Sequence, residues 1–442
     1  MKSSNQPKLA IIPVITMFFM FAMISFVTNM AAPFGNIWKN SYEWSGMLGN
    51  MMNFLAYLIM GIPAGKIMSR IGYKKTALIA LGVGFVGMAV QYLSSLVGAN
   101  TATFSVGGQP VMLNFIIYLL GAFICGFCVC MLNTVVNPML NLLGGGGNRG
   151  NQLIQTGGTL NSLTGALTPL LVGMLIGTVS ERTAMSDVAP LLFIAMGIFA
   201  LAFIIISIVN IPEPNRERKT ESVLTSAKGK KYSAWSFRHL VLGVVAIFFY
   251  VGTEVGIPSE LIFYFSADSG PVASVAVGGA VAAVYWLLMM VGRAASAAIS
   301  GKVSTRTQLV TVSTVAIVLV VVAMMMPESI RISIPGYSAA DGFAMFQVPI
   351  SALFLVLCGL CTSLMWGGIF NLSVEGLGRY TEQASGIFMM MVVGGGVMPL
   401  IQDFLAGVIG YMASYWLVVA MLAYILFYAL VGSKNVNKDI PV

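Results

Sequence analysis

Twelve long runs of apolar residues, separated by short polar breaks, dominate the 442-residue chain. They lie at about 10–33, 46–65, 76–97, 111–141, 153–176, 188–211, 237–265, 271–299, 309–326, 348–374, 385–409 and 412–432. Each reaches or approaches the roughly 20 residues that a helix needs to cross a bilayer. Charged residues make up 9% of the chain and hydrophobic residues 58%, whereas soluble proteins carry about 25% charged residues. A water-facing surface cannot be built from so few charges, so lipid is the solvent. In lipid each segment must satisfy its own backbone hydrogen bonds, which makes the spans helices. The expected fold class is all-α, integral to a membrane. The first span follows Lys8 directly and is too long for the core of a leader, so it reads as a retained helix.

The charges that remain are ordered. The net charge is +8, but the cations sit in bursts between apolar runs and form no stripe suited to nucleic acid. With both termini placed in the cytoplasm, only Lys39, Arg182 and Arg331 of the 23 Lys and Arg residues fall on the outer side. That asymmetry sets the orientation. The five cysteines, Cys125, Cys128, Cys130, Cys358 and Cys361, all lie in apolar runs and have no His or carboxylate cluster beside them. They read as small buried hydrophobes, with no metal or cofactor implied. The run "GGGGNRG" at 144–150 lacks the G-K-[ST] ending of a phosphate loop and reads as an inner turn.

The longest polar stretch, 213–236, follows six spans and precedes six more. It divides the chain into a first six-helix bundle (1–212), a basic cytoplasmic loop (213–236) and a second bundle (237–442). "GKIMSR" at 65–70 follows the second span, and "GKVSTR" at 301–306 follows the eighth. The same motif after the second helix of each half indicates a repeated architecture.

Polar groups within the spans mark a cavity, because they are costly in lipid and turn inward. Asn29, Asn133, Asn137, Asn161 and Asn371 offer a donor and an acceptor together, as hydroxyl-rich neutral solutes require. Tyr250, Tyr285, Trp286 and Trp366 offer flat aromatic faces. Helix–helix hydrogen bonding is the competing structural reading of each amide. Glu254 is the carboxylate deepest in a span. It sits one turn after Tyr250 on the same face, where a phenol can bond it, and it is the natural group to gain and lose a proton. Pro33, Pro138, Pro258, Pro399 and Gly394–Gly396 punctuate the same helices, as expected where helices bend around a cavity. Arg70, Lys74 and Arg293 are expected to brace an inner gate.

"GKIMSRIGYKK", 65–75, resembles the loop between helices 2 and 3 of the major facilitator superfamily, matching at Gly65, Arg70, Gly72, Lys74 and Lys75. Ser69 stands where that pattern has Asp, and Tyr73 where it has Arg. "LNTVVNP" (132–138), "FFYVGTEVGIPS" (248–259), "YWLLMMVGR" (285–293) and "GLGRYTEQASGIFMMMVVGGGVMPLIQ" (376–402) are similar to the fucose–galactose–glucose:proton symporter family. The resemblance implies twelve transmembrane helices in two six-helix bundles, a central cavity, alternating access, sugar substrates and proton coupling. It also implies that Glu254 matches a carboxylate of the glucose/galactose-type members. Asn29 and Asn133 stand where fucose-type members carry carboxylates used in coupling and recognition, and Gly158 stands near a Gln of theirs.

The expected function is therefore import of a neutral sugar across an inner (plasma) membrane by a monomer. Coupling would run through Glu254, with the proton as co-substrate and lipid as the surrounding partner. An uncoupled facilitator, and a carrier of a non-sugar solute, remain as alternatives. A receptor would need a soluble signalling domain larger than a loop of about 24 residues. An enzyme would need a cluster that the lone His239 does not supply.

Overall fold

In the computed structural model, residues 11–42, 45, 48–176, 185–213, 232–266, 275–338, 342–437 and 439–441 are described. Among the described residues each of the twelve expected spans holds a helix. They are α1 (Ile11–Ser41), α2 (Leu48–Ile71), α3 (Tyr73–Leu96), α4 (Leu113–Leu143), α5 (Gly147–Ile176) and α6 (Ala189–Ile208). The second set comprises α7 (Arg238–Ser266), α8 (Val275–Ile299), α9 (Thr305–Met325), α10 (Ile350–Val374), α11 (Gly378–Ile409) and α12 (Tyr411–Gly432). Arg182 and residues 214–231 of the central loop lie outside the described residues.

Eleven of these helices are long and apolar enough to cross a membrane. The exception is α5, whose Gln155, Thr156, Thr159, Asn161, Ser162 and Thr164 dilute its apolar character. Such a helix is tolerable only where protein shields it, and α5 packs between α1 of its own half and α8 of the other.

The helix breaks do not follow the prolines. Pro63, Pro138, Pro258 and Pro399 lie inside continuous helices, and α1 runs on past Pro33 to Ser41. The interruptions fall at residues 363–364, which split α10 into Ile350–Thr362 and Met365–Val374, and at Met391–Val393 of α11, a single 3₁₀ turn. Bundle packing re-satisfies a proline's missing bond more readily than sequence pattern suggests.

Two antiparallel hairpins that the sequence reading missed cap the end opposite the chain ends. β1 (Ala102–Val106) pairs with β2 (Gln109–Met112) between α3 and α4. β3 (Arg331–Ser338) pairs with β4 (Gly342–Pro349) between α9 and α10. Gly107 and Gly108, with φ of 58° and 83°, make the tight first turn. Each hairpin follows the third helix of its six-helix set, in keeping with repeated halves. Arg331, one of the three cations assigned to the outer side, opens β3.

The halves meet chiefly through α2 against α11 and α5 against α8. At the first seam glycines let two backbones touch. A Cβ on Gly61 would lie 2.4 Å from the Met390 nitrogen, and one on Gly65 would lie 2.9 Å from the Gly386 Cα. These residues belong to the end of α2 and the start of α11, the side on which both chain ends lie.

Candidate functional site

The stretch "LNTVVNP" places Asn133 and Asn137 one turn apart on α4, both turned into protein, at 5% and 0% exposure. Asn133 Nδ2 donates to the Tyr57 hydroxyl of α2 at 2.6 Å. Asn137 Nδ2 donates to the Asn133 carbonyl at 2.9 Å and to its Oδ1 at 3.3 Å. Asn137 Oδ1 then accepts from the Trp366 indole N–H at 3.0 Å. Trp366 belongs to α10, so this bond joins the two halves. Tyr250 and Phe388 meet the indole edge-on, with centroids 6.2 and 6.0 Å away.

Glu254, one turn beyond Tyr250, accepts from Arg293 Nη2 of α8 at 3.0 Å. Sequence reading places Arg293 at the inner gate; in the structure it is the counter-ion of Glu254. Arg293 lies six residues before the end of α8, about 9 Å of helix, and its side chain turns into the bundle. Nη1 donates to the Gly158 carbonyl at 3.2 Å and to Ser162 Oγ at 2.7 Å, both on α5. Nε donates to the Ser363 carbonyl of α10 at 3.2 Å. The missing side chain at Gly158 provides room, since a Cβ there would touch Arg293 Cδ at 3.4 Å. The pair is largely buried, with side-chain exposures of 11% and 14%. An unpaired charge at this depth would be costly, and the partner offsets that cost. The buried Tyr250 phenol lies beside the Glu254 carboxyl, one turn away on the same face.

The break in α10 is part of the same site. It frees the Ser363 carbonyl, which Arg293 takes; the Leu364 carbonyl accepts from the Gly368 N–H at 3.1 Å and also from Gln155 Nε2 of α5 at 2.8 Å. The unwound turn is thus solvated by side chains from α5 and α8, as unwound backbone at membrane depth requires.

The remaining candidates are spread more widely. Tyr285 is fully buried and bonds Thr362 Oγ1 at 2.8 Å, joining α8 to α10 behind the ion pair. Trp286 meets Tyr285 edge-on at 5.6 Å and stays 43% exposed. It precedes Arg293 by two turns and shares its helix face. Asn161 Nδ2 donates to the Phe21 carbonyl at 3.0 Å across the α1–α5 seam. Asn29 Nδ2 donates to the Ser25 carbonyl of its own helix at 2.8 Å and lies against Gly165 of α5. Asn371 is not brought to Trp366. Five residues on, it points about 140° away around the helix. It accepts from Asn141 and donates to the Gly147 carbonyl at 3.0 Å and Thr305 Oγ1 at 3.2 Å. Together these groups clasp α4, α5 and α9 to α10 on the side of the chain ends.

The other gate residues sit beyond that clasp. Gly65 lies in the α2–α11 contact, and Arg70 is exposed in the last turn of α2. Gly72 adopts φ 91° and lets the Glu213 carboxylate approach. That carboxylate accepts from the Tyr73 and Lys74 backbone N–H groups, each at 3.0 Å, at the start of α3. Lys74 Nζ donates to the Ser207 and Val209 carbonyls at 2.8 Å at the end of α6. An anion at a helix N-terminus and a cation at a C-terminus both oppose the helix dipoles. Glu213→Ala is expected to lower stability by about 1 kcal/mol, read as a fall in thermal midpoint of the detergent-purified protein. An unchanged midpoint would contradict this capping role. His239 bonds the Glu375 carbonyl at 3.0 Å and ties the start of α7 to the end of α10.

Among the described residues no group of three or more His, Cys, Asp or Glu side chains could hold a metal ion. The site instead offers amides, aromatic faces and one ion pair whose charges cancel.

The Major Facilitator Superfamily domain model matches residues 14–397. The glucose/galactose transporter of Brucella abortus is 30% identical over 421 residues, covering 95% of this chain and 93% of that one. A putative glucose/galactose transporter of Helicobacter pylori is 28% identical, covering 98% of both chains. The crystal structure of the E. coli fucose:proton symporter FucP superposes with a TM-score of 0.72 at 18% identity, covering 96% of this chain and 98% of that one. These relatives are transporters and not enzymes. With its helical fold and a domain match across most of its length, the chain is an integral membrane protein that belongs to the major facilitator superfamily.

Proposed function

We propose that this transporter imports a neutral sugar, a hexose or a related one, by alternating access, with proton coupling through Glu254. The observation that carries this reading is the cross-half site itself. The Asn137–Trp366 bond and the Glu254–Arg293 pair join α4 and α5 of one half to α7, α8 and α10 of the other. The names of the glucose/galactose and fucose relatives support a sugar as cargo.

The chemistry fits such a cargo. The ion pair is neutral as a unit, so the site has no excess charge to attract an ion. Asn29, Asn133, Asn137 and Asn161 can exchange bonds with hydroxyls, and the faces of Trp366 and Trp286 suit the C–H side of a sugar ring. Protonating Glu254 would remove the charge that holds Arg293 Nη2. Arg293 would keep its bonds to Gly158 and Ser162 of α5, so the proton would release α7 from the guanidinium that joins α8 to the other half. A second reading, an uncoupled facilitator, is favoured by Asn29 and Asn133, which cannot exchange protons.

In this reading the halves are 1–212 and 237–442, joined by a cytoplasmic loop at 213–236. The side with both chain ends faces the cytoplasm across a bacterial inner membrane, and a monomer suffices. Gly65, Arg70, Gly72 and Lys74 belong to the inner gate, which Asn371 joins. The tight α2–α11 contact on that side makes this the outward-facing state.

Binding tests the reading. A panel of neutral hexoses and 6-deoxyhexoses is expected to displace a labelled member from the purified protein. Trp366→Ala is expected to weaken that binding about 10- to 100-fold, a loss of about 1.4–3 kcal/mol. Displacement by none of the panel would overturn the sugar assignment.

A further inference from the structure

We infer that Tyr57, an α2 residue outside the cavity set, is a positioning residue: acting through Asn133 and Asn137, it closes the hydrogen-bond chain that holds Trp366 of the opposite half. The inference rests on the sugar-site reading for its effect on transport, but not for its effect on Trp366.

The argument is one of donors and acceptors. The indole N–H can only donate, so Trp366 needs an acceptor, and Asn137 Oδ1 provides it at 3.0 Å. That choice turns the Asn137 NH₂ the other way, where it meets the Asn133 carbonyl at 2.9 Å and Oδ1 at 3.3 Å. Asn133 must therefore present oxygen to Asn137 and nitrogen to the far side. On the far side stands the Tyr57 hydroxyl, which accepts from Asn133 Nδ2 at 2.6 Å. An amide alone is nearly symmetric in shape, and its orientation is set by its partners. The indole sets the orientation from one end, and Tyr57 closes the chain at the other by accepting the Asn133 N–H that is turned outward.

Burial leaves little alternative. Tyr57 is 6% exposed, Asn133 5% and Asn137 0%, so water does not freely replace a lost partner. Without the Tyr57 hydroxyl, Asn133 NH₂ has no acceptor on its far side. If the amide rotates to find one, it presents NH₂ to the Asn137 NH₂. Asn137 NH₂ then keeps only the Asn133 main-chain carbonyl, and its side chain is held less firmly against the indole. The indole is anchored less tightly, and its edge-on contacts with Tyr250 and Phe388 no longer hold a single orientation. Tyr57 thus controls a residue on the opposite half of the protein without touching the cargo.

The test uses Tyr57→Phe in the full-length protein, alone and combined with Trp366→Phe. Two quantities are read: the Trp366 contribution to fluorescence, obtained by subtracting the emission of the matched Trp366→Phe protein, and the kinetics of sugar uptake. The expected result is a shifted and more quencher-accessible Trp366 emission. KM is expected to rise about tenfold, the worth of one hydrogen bond, with maximal rate within about twofold of wild type. In the Trp366→Phe background, Tyr57→Phe is expected to raise KM no further. An unchanged Trp366 emission overturns the proposal, as does an equal rise in KM in both backgrounds. If wild-type protein moves no sugar, the sugar reading fails, while the emission still decides whether Tyr57 holds Trp366.

Discussion

Protein carrying Glu254→Gln is expected to let sugar equilibrate across the membrane but not accumulate. Gln keeps the size and hydrogen-bonding capacity of the side chain and removes its proton chemistry. In the structure Glu254 is held by Arg293 Nη2 at 3.0 Å, and the same guanidinium reaches Gly158 and Ser162 on α5 and Ser363 on α10. The carboxylate is therefore the group whose charge sets how firmly α7 is tied into the cross-half junction. With Gln, that charge is permanently absent, and the site resembles its protonated form at every pH. Counterflow, which needs no driving force, is expected to survive, whereas the accumulation ratio under an inward proton gradient is expected to fall to about one. Arg293 would then be left without its counter-ion, a loss that costs about 3–5 kcal/mol for a buried pair; the exposure of this pair and its three remaining acceptors reduce the penalty. Retained accumulation in the Gln protein would remove Glu254 from the coupling step.

Gly61→Leu is expected to abolish uptake more completely than any change in the cavity. Closure on the side of the chain ends depends on α2 and α11 meeting backbone to backbone. A Cβ at Gly61 would lie 2.4 Å from the Met390 nitrogen, 2.6 Å from its Cα and 2.8 Å from the Gly386 oxygen. Each atom belongs to the main chain of α11, so no side chain can swing aside. Overpacking of this kind costs about 1–3 kcal/mol when a core can adjust; here the adjustment is separation of the two helices. Leu adds further carbons to that clash, and the closed state is expected to be lost. Uptake is expected to drop at least about 100-fold, corresponding to about 2.7 kcal/mol against closure. Thiol reagents applied from the side of the chain ends are expected to label a cysteine placed at Met390 in the Leu protein and not in the Gly protein. Uptake within about twofold of wild type would contradict the role assigned to this seam.

Hydropathy and charge asymmetry made the twelve helices legible, because lipid imposes one strong rule on every span. The same rule hid the breaks within α10 and α11. Gln155, Asn161 and Ser162 make α5 the most polar of the spans, and α1 and α8 shield it. The breaks at 363–364 and 391–393 carry no proline, and Pro33, Pro138, Pro258 and Pro399 each sit within a continuous helical stretch. In "SLMWGG", 363–368, the polar and glycine residues were a usable sign. The first hairpin was signalled only by "GG" at 107–108 between short alternating runs.

Within the site, residue types were legible and partners were not. Asn133, Asn137, Trp366, Tyr250 and Glu254 stand together as their chemistry suggested. The partner of Arg293 could not be read from the sequence, because a cation near a helix end normally reaches outward to the interface; here it turns inward to Glu254. Asn371 shares a helix with Trp366 but not a face, and only the break in α10 and the clasp around Thr305 show where it points. Tyr57 gave no sign at all, since a tyrosine in an apolar helix looks like core until its acceptor role is seen. Asn29 and Asn133 are both bonded within their own half, and the buried ion pair lies between α7 and α8.

Uptake of labelled glucose, galactose and fucose into proteoliposomes, with and without an inward proton gradient, tests the central claim most directly. The account predicts that at least one of these sugars accumulates above its outside concentration only while the gradient lasts, and drains to equilibrium when a protonophore is added. Uptake that ignores the gradient, or no uptake of any of the three, would contradict it.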